Sequence, residues 1–300
     1  MPAVFIGSAA CDLKGAAVAI GNFDGVHAGH RAVIARLRSF GLPVCVYTFD
    51  PAPTAVVAPE RHQPRITTLA ERVRLLGEAG VDVVIIEPFT RAWAAHPARW
   101  FAEVVLERRL RAKALVVGWD FRFGHGREGN AASLRAWLPG MTIAELDVVQ
   151  AGERAVSSSR VRTLVKEGKV KEAAALLGRP HALTGTIVTG DKRGRTIGFP
   201  TANLENEVEL LPAHGVYAVR ARIDDGPALL GVANIGVRPT VDGRKLSIEV
   251  HLLDFDRDVY GCEMRVELIA RVREERRFEG IDALATQIRV DVATARDLLA

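Results

Sequence analysis

The sequence predicts an α/β domain with a mostly parallel sheet over residues 1–180, followed by a small antiparallel β-barrel with a C-terminal helix over residues 181–300. Two observations predict this division. Up to about residue 150, apolar strand-like runs alternate with amphipathic helix patterns, as in a parallel sheet covered by helices. After Pro180, short β-rich runs follow one another with turn residues between them, which is typical of an antiparallel barrel. A length of 300 residues also favours two domains.

Five apolar runs predict the strands of the first half, at residues 16–20, 43–49, 81–86, 114–118 and 141–146. The helix patterns between them include one that closes at Gly41, one that begins at Thr68 with Glu71 as its capping box, and one over residues 97–110. A further helix over residues 170–177 ends at Gly178, just before the predicted domain boundary.

Five runs predict the strands of the second half, at residues 182–188, 215–223, 228–235, 247–255 and 263–272. The last helix, over residues 281–299, carries one apolar stripe that we expect to pack on the barrel. The stripe consists of Ile281, Leu284, Ala285, Ile288, Val292, Ala295 and Leu299.

Composition narrows the class of protein. With 48% hydrophobic and 25% charged residues, the chain has the make-up of a globular protein with full cores. The net charge of +4 is spread along the chain without a basic block, which favours small anionic substrates and gives no support for a nucleic-acid partner. Three widely spaced cysteines without a CxxC pair predict buried thiols in a reducing cytoplasm. No apolar run approaches membrane-spanning length, so no membrane association is expected; the oligomeric state is left open.

Residues 20–30, Ile-Gly-Asn-Phe-Asp-Gly-Val-His-Ala-Gly-His, join the first predicted strand to its helix. His27 and His30 therefore stand at a helix N-terminus, where free N–H groups and the helix dipole favour phosphate. Spaced by three, the two imidazoles are able to point the same way, and Gly29 lets a phosphate approach the backbone. A single histidine there is more often an ordinary loop residue, but this pair favours an anion site.

Two further polar stretches, residues 50–53 and 118–124, follow the second and fourth strands. Ligands of parallel α/β sheets bind beyond the carboxyl ends of the strands, so we expect these loops to share a site with residues 21–30. The segment Ser157-Ser158-Ser159-Arg160-Val161-Arg162 has two readings, a serine helix cap or a set of hydroxyl and guanidinium donors to a triphosphate. No G-x-x-x-x-G-K-[ST] loop is present, which excludes a P-loop enzyme.

The His-x-Gly-His pair, the loop Asp-Phe-Arg-Phe-Gly at 120–124 and the Ser-Ser-Ser-Arg-Val-Arg segment resemble the nucleotidyltransferase superfamily with its Rossmann-like parallel sheet. More narrowly, they resemble the adenylyltransferase module of bacterial bifunctional riboflavin kinase/FAD synthetases. The resemblance extends over the whole first half of the chain.

In the second half, residues 190–203 combine three glycines with basic residues and end in Pro200-Thr201-Ala202-Asn203. Thr201 and Asn203 alternate on an extended segment, so their oxygens can face one point and hold a Mg²⁺ that carries ATP phosphates. A capped turn is the alternative. Glu249 lies in the middle of an apolar strand, where an unpaired carboxylate is costly, and this favours a functional or salt-bridged carboxylate near such an ion.

This half resembles the riboflavin kinase module from end to end, through Gly194-Arg195-x-x-Gly198-x-Pro-Thr-Ala-Asn, through Asn-Ile-Gly-x-Arg-Pro-Thr at 234–240, and through Glu-Val-His-Leu-Leu-Asp-Phe at 249–255. The whole chain is therefore similar to the bifunctional riboflavin kinase/FMN adenylyltransferase family. The resemblance implies ATP as co-substrate, Mg²⁺ as cofactor, and riboflavin, FMN and FAD as substrates and products.

The two implied reactions make different demands. Phosphorylation of a neutral ribityl hydroxyl benefits from a base, for which we predict Glu249, with Thr201 and Asn203 holding Mg²⁺. Adenylylation of FMN, whose phosphate is already an anion, needs charge stabilisation, for which we predict His27, His30 and Arg160.

Further residues are predicted to bind ligands on the strength of the resemblance. The predicted ATP and phosphate contacts are Gly21, Asn22, Phe23, Asp24, Gly29, Ser158, Ser159, Lys192, Gly194, Arg195 and Gly198. The predicted flavin contacts are Asp120, Phe121 and Phe123 in the first half and Arg273 and Phe278 in the second.

The chain departs from the family pattern at residue 52. The family commonly has Phe-x-Pro-His-Pro after the second strand, whereas Ala52 occupies the histidine position here. Ser159 and Val161 replace a usual threonine and isoleucine, and the serine keeps the hydroxyl. Two alternatives to a doubly active enzyme follow: a kinase with a weakened adenylyltransferase domain, and a non-catalytic flavin-binding protein.

Overall fold

The computed structural model describes residues 1–11, 13, 15–190, 198–240 and 243–300, with side chains left undescribed at 238–240 and 243–245. The chain forms two compact units, Met1–Ser157 and Ser158–Ala300. The boundary predicted from the sequence at residue 180 stays a prediction. No helix in the described part of the chain is long and apolar enough to span a membrane.

The first unit contains a parallel sheet of six strands in the order β1-β4-β3-β2-β5-β6. The strands are β1 (Ala3–Ile6), β2 (Ala17–Ile20), β3 (Val44–Phe49), β4 (Val83–Glu87), β5 (Ala114–Gly118) and β6 (Thr142–Leu146). This confirms the predicted fold class, with one edge strand more than predicted. The extra strand, β1, is mostly exposed and only four residues long, so it carries no recognisable apolar period.

Helices cover both faces of this sheet, as predicted. They are α1 (Ala28–Arg38), α2 (Pro53–Val57), α3 (Leu69–Glu78), α4 (Arg91–Ala94), α5 (Ala98–Trp100) and α6 (Ala131–Trp137). Short 3-10 turns lie at Ser8–Ala10, Pro59–Arg61 and His125–Arg127, and a hairpin is formed by β7 (Gln150–Ala151) and β8 (Arg154–Ala155). Most of the helix predicted over 97–110 is a π-helix, Phe101–Arg109. Its wider winding brings Phe101, Ala102, Val105 and Leu106 into the core together.

The strands of the sheet are apolar throughout because both faces are buried. Val18, Tyr47 and Ile85 pack on one face with the π-helix. The alternate strand residues pack on the other face against α1 and α3. Because the strands are parallel, the loops that follow β2, β3 and β5 emerge together at the carboxyl edge, where the predicted site lies.

The second unit is a closed antiparallel barrel of six strands in the order β10-β13-β12-β11-β14-β9. The strands are β9 (His181–Val188), β10 (Ala202–Asn206), β11 (Gly215–Ile223), β12 (Leu229–Thr240), β13 (Gly243–Leu252) and β14 (Glu263–Glu274). Five match the predicted runs, and β10 is the predicted extended Thr-Ala-Asn segment continued. The unit also contains α7 (Ser158–Lys166), α8 (Val170–Leu177) and α9 (Ile281–Leu299).

The barrel strands alternate between two apolar layers. One set of residues, including Tyr217, Ile248 and Val250, forms the barrel core. The alternate set on β11, β12 and β14 packs against Ala295 and Leu299 of α9, as the helical stripe predicts. Ile281 departs from that stripe: it is the first residue of α9 and its surface is 66% exposed.

Candidate active sites

His27 and His30 meet at the start of α1. His27 is the N-cap residue, and its Nδ1 accepts a hydrogen bond from the His30 backbone N–H at 3.4 Å. The two rings stack with centroids 3.7 Å apart and planes 15° apart. Because His27 Nδ1 is the acceptor, the neutral ring carries its proton on Nε2 and presents an N–H there. The structure thus brings together the two imidazoles that the sequence paired.

His30 sits in an environment that disfavours a cation. Burial lowers the pKa of its imidazole well below the ordinary value of 6.5, and the His27 ring and the Arg72 guanidinium lower it further. Its Nδ1 is buried without a hydrogen-bond partner among the described residues. A neutral imidazole acts on phosphate as an N–H donor and contributes no full positive charge.

The loop between β2 and α1 is held in a strained shape. Phe23 and Val26 have positive φ angles of 49° and 41°, which are unusual for a bulky and a β-branched residue. The buried carboxylate of Asp24 accepts hydrogen bonds from the backbone N–H groups of Ile66 and Thr67 at 3.0–3.2 Å. These contacts assign Asp24 to fixing the loop, and a direct phosphate contact for Phe23, Asp24 or Gly29 stays a prediction.

A cavity of about 940 Å³ opens at the carboxyl edge of the sheet. Gly21, Asn22, Phe121 and Phe123 line it, so predicted phosphate and flavin residues face one space. Its charged lining side chains are all cationic: Arg61, Arg91, Arg122 and Arg127. No carboxylate is among the described residues that line it. Asp120 is exposed and is not part of this lining.

Aromatic rings form one wall of this cavity. Phe121 and Phe123 stack at 5.4 Å. Trp93, His96 and Trp100 pack beside one another, with the His96 and Trp100 rings stacked at 3.7 Å. The sequence does not single out Trp93, His96 or Trp100 as site residues, because a helical apolar pattern does not distinguish a core face from a cavity wall.

Ser158, Ser159 and Arg160 are the first three residues of α7. They belong to the unit that begins at Ser158. Their predicted role at the phosphate site of the first unit therefore stays a prediction.

Glu249 is the centre of a polar group on the barrel. It pairs with Asn203 across β10 and β13, and with Asn234 across β12 and β13. Thr201 Oγ1 lies 3.5 Å from Glu249 Oε2, and Ser247 Oγ donates to Oε1 at 3.3 Å. The structure therefore joins the three residues that the sequence selected, and adds Ser247 and Asn234, which the alternation of the paired strands places on the same side.

The predicted phosphate loop lies only partly within the described chain. Lys192, Gly194 and Arg195 are outside the described residues. Gly198 has a positive φ of 84° and open space around it. The Asn203 amide packs against Gly190 so closely that any β-carbon at residue 190 would overlap it.

The donor atoms around Glu249 suit a hard cation. Carboxylate, hydroxyl and amide oxygens of Glu249, Thr201 and Asn203 are of the kind that Mg²⁺ prefers. Among the described residues there is no cluster of three or more His, Cys, Asp or Glu side chains that would hold a metal alone. Mg²⁺ commonly binds through one or two protein oxygens together with substrate phosphates, so this set fits a phosphate-carried ion.

The two predicted flavin residues of the barrel unit contact each other, with the Arg273 guanidinium 5.6 Å from the Phe278 ring centre. The same guanidinium donates to the carboxylate of Asp291 on α9 at 2.8–3.0 Å. Asp291 is buried and also accepts from Gln287. The ion pair fixes the direction of the Arg273 side chain; contact of either residue with flavin stays a prediction.

Two family models match the chain, each over one part. The riboflavin kinase model matches residues 177–299, and the FAD synthetase model matches residues 10–160.

Similar proteins match almost the whole chain. The bifunctional riboflavin kinase/FMN adenylyltransferase of Escherichia coli K12 is 43% identical over 95% of this chain and 93% of that protein. The protein of the same description from Bacillus subtilis 168 is 36% identical over 91% of this chain and 89% of its own. A crystal structure described as a macrolide-efflux protein from Streptococcus pneumoniae superposes with a TM-score of 0.89 at 31% identity over 98% of each chain. That description belongs to the streptococcal protein.

Proposed function

The chain belongs to the family of bifunctional riboflavin kinase/FMN adenylyltransferases, and on this premise we propose that each site described above carries one of the two reactions. The barrel site phosphorylates riboflavin with ATP to FMN. The site at the sheet edge adenylylates FMN with a second ATP to FAD and pyrophosphate. A difference in chemistry supports this division: the barrel site contains a carboxylate able to act as a base, whereas the described lining of the sheet cavity is cationic.

At the barrel site, Glu249 accepts the proton of the ribityl hydroxyl as it attacks the γ-phosphorus. The hydroxyl is neutral at pH 7, so a base that takes its proton lowers the barrier. Thr201 and Ser247 lie within hydrogen-bonding distance of the two carboxylate oxygens, which fixes the direction of the carboxylate. Asn203 stands opposite it on the neighbouring strand.

Thr201 and Asn203 would hold Mg²⁺ together with the phosphates of ATP. When bound, the ion supplies charge neutralisation on the phosphates during phosphoryl transfer. The role of this chain is to offer the oxygens and to keep Glu249 close to them.

At the sheet edge no base is required, because the FMN phosphate that attacks the α-phosphorus is already an anion. His27 offers Nε2–H, His30 offers a neutral imidazole N–H, and the N-terminus of α1 adds backbone N–H groups. These donors stabilise the charge that develops on the phosphates. We include Arg160, Ser158 and Ser159 in this set as further phosphate donors.

We place FMN in the cavity of about 940 Å³ at the edge of the sheet. The flat aromatic isoalloxazine ring of FMN matches the wall formed by Phe121, Phe123 and Trp100. The arginines that line the cavity match the FMN phosphate. The volume is within the range of small-molecule sites, roughly 300–1,000 Å³.

We propose residues 1–180 as the adenylyltransferase domain and residues 181–300 as the kinase domain. We further propose a cytoplasmic location, with small-molecule substrates as partners and with neither nucleic acid nor a membrane bound. The thiols of Cys45 and Cys262, neither of which forms a disulfide, support a reducing compartment. Burial and the nearby Cys11 raise the pKa of the Cys45 thiol, which keeps it protonated.

One assay tests the proposal. The purified chain is incubated with riboflavin, ATP and Mg²⁺, and riboflavin, FMN and FAD are resolved by chromatography, with a parallel reaction that starts from FMN. We expect FMN to appear first and FAD to follow, and EDTA to stop FMN formation. FAD absent from both reactions would overturn the sheet-edge assignment, and absence of both FMN and FAD from the reaction that starts with riboflavin would overturn the barrel assignment.

A weaker adenylyltransferase is the second candidate, and one observation favours it. Ala52 is the N-cap residue of α2, and no side-chain hydrogen bond caps that helix. A slow step from FMN to FAD beside a fast step from riboflavin to FMN would support this candidate. A non-catalytic flavin binder is not retained, because this family consists of enzymes.

A further inference from the structure

We propose that Arg72 on α3 is a positioning residue for FMN adenylylation, because its guanidinium ties together the two backbone loops that shape the sheet-edge site. The inference deepens the proposed function and rests on it. The search for apolar periodicity does not select this residue because it is charged, although it lies on the apolar stripe of α3, three residues after Leu69 and four before Leu76.

The Arg72 guanidinium bridges two strand ends. Its Nη1 donates to the carbonyl oxygen of Asn22, just after β2, at 2.7 Å. Its Nη2 donates to the carbonyl oxygen of Phe49, the last residue of β3, at 3.4 Å. Asn22 and Phe49 both line the cavity assigned to FMN, so one side chain sets the separation of two of its edges.

A second group of contacts from the same part of the chain fixes the loop between β2 and α1. The Asp24 carboxylate is held by the N–H groups of Ile66 and Thr67, and Thr67 Oγ1 accepts from the Gly25 N–H at 3.3 Å. Three residues of the segment 66–72, namely Ile66, Thr67 and Arg72, therefore attach it to the loop. Such attachments are what keep positive φ angles at Phe23 and Val26 populated in the folded chain.

The burial of Arg72 is costly, and this cost argues for a specific use. Arg72 is only 3% exposed, and its Nε has no hydrogen-bond partner among the described residues. Burial lowers the pKa of the guanidinium, while the carboxylates of Asp24 and Asp50 act in the opposite direction and Arg65 adds to the lowering. A buried charge that only filled space would be replaced by an apolar residue at no loss.

Arg72 also acts on His30 through its charge. The charged or titratable groups that face the His30 ring are His27 at the start of α1 and Arg72 on α3, and both disfavour protonation of His30. Arg72 thus contributes to keeping the imidazole a neutral donor at the site. Because burial is the larger cause, removal of the charge is expected to relieve only part of the effect.

The test compares Arg72→Met, which removes both hydrogen bonds and the charge, with Arg72→Lys, which keeps a charge but not a fork that spans two carbonyls. We expect FAD formation from FMN to fall at least tenfold in Arg72→Met and less in Arg72→Lys, with FMN formation from riboflavin unchanged. By NMR, the His30 ring should titrate at a higher pH in Arg72→Met than in the unsubstituted chain.

Two controls separate positioning from general destabilisation. Arg74→Gln alters a half-exposed arginine of the same helix that pairs with Glu71 and Glu78. Leu76→Val loosens a fully buried residue of α3 that makes no contact of this kind. Tryptophan fluorescence reports folding of the first unit in every variant, since all four tryptophans lie in residues 1–157.

Normal FAD formation in folded Arg72→Met, or a loss equal to that of an equally destabilised Leu76→Val, would overturn the inference. If Arg72→Met does not fold, the rate of FAD formation by Arg72→Lys is judged by the same two criteria. If the unsubstituted chain makes no FAD, the proposed function fails. The inference fails with it in that case, whereas normal FAD formation in Arg72→Met beside an active unsubstituted chain overturns the inference alone.

Discussion

Asn203 of β10 lies directly opposite Glu249 of β13 in the barrel wall, and their side chains leave the wall on the same side. Thr201, two residues before Asn203, joins them because side chains alternate along a strand, and its hydroxyl lies 3.5 Å from Glu249 Oε2. The pairing of one strand with another thus assembles, from residues 48 positions apart, the oxygen set that we propose for phosphoryl transfer. A test of Glu249 follows from this geometry.

Glu249→Gln should abolish most FMN formation and leave FAD formation from added FMN intact. The amide keeps the size of the side chain and its place opposite Asn203, but it no longer accepts a proton. Removal of a general base costs roughly 10²–10⁴ in rate. The measurement is the initial rate of each reaction by chromatography.

Glu205→Gln is the matched control for Glu249→Gln, since Glu205 is an exposed carboxylate on β10. Full kinase activity in Glu249→Gln would show that the carboxylate only supports the barrel structure.

His30→Ala should give the reverse result, with FMN formation kept and FAD formation lost. The substitution removes the imidazole that stacks on His27 at the start of α1. Loss of one positioned donor to a developing anion lowers the rate by about 10²–10³. His214→Ala, which alters a half-exposed histidine of the barrel unit, serves as the control. Equal loss of both activities in His30→Ala would contradict separate sites.

The sequence was sufficient to predict the strands that have an apolar environment on both faces. Strands buried on both faces, such as β3 and β5, are continuous apolar runs, and this makes them recognisable without any partner. The turn that carries His27 and His30 was equally predictable from the sequence, because a strand, a glycine-rich turn and a helix follow one another within a few residues.

Features that depend on partners distant in sequence were not predictable in the same way. β1 is defined by its pairing with β4, about 80 residues away, and by little in its own composition. His96 lines the cavity because the chain before the π-helix brings it onto Trp100. Arg72 has the helical spacing of a buried position on α3, but the partners that accept its hydrogen bonds, the carbonyl groups of Asn22 and Phe49, come from distant segments.

The first unit should lose stability as the pH falls below about 6.5. In the unfolded chain His30 takes up a proton near its ordinary pKa, whereas in the folded chain burial lowers that pKa, so the unfolded state binds more protons in this window. The free energy of unfolding then rises with pH and reaches its full value above 6.5, with a slope of at most about 1.4 kcal/mol per pH unit for one proton.

Urea unfolding followed by tryptophan fluorescence at pH 5.5, 6.5 and 7.5 measures this slope for the first unit, because it contains all four tryptophans. We expect His30→Gln to have a flatter dependence than the unsubstituted chain. The other histidines are common to both proteins and cancel in the comparison. Identical slopes would show that His30 does not titrate differently on folding.

Ala52→His should accelerate FAD formation by about tenfold without changing the kinase. The substitution supplies the imidazole that the family pattern has at this position, beside Pro53 and Thr54 of the cavity lining. One net hydrogen bond to a charged group contributes roughly 1.5–3 kcal/mol, of which an added side chain recovers only part. Ala52→Asn controls for helix capping, which by itself contributes about 1 kcal/mol to stability. An equal gain in both variants would assign the effect to the cap.

Gly129→Ala should weaken FMN binding by pushing an aromatic wall into the cavity. Gly129 and Phe123 are paired through two backbone hydrogen bonds of 2.9 and 3.1 Å. A β-carbon at residue 129 would lie 2.6 Å from the Phe123 ring and 2.7 Å from Ala98, so the ring must move. Overpacking of this kind destabilises the fold by about 1–3 kcal/mol, and the displaced ring reduces the space for the flavin, so we expect KM for FMN to rise. Gly140→Ala, where an added β-carbon meets open space, is the control, and KM for FMN and for ATP are measured in all three proteins. A KM for FMN that does not change in folded Gly129→Ala would mean that the Phe121–Phe123 wall is not where the flavin binds.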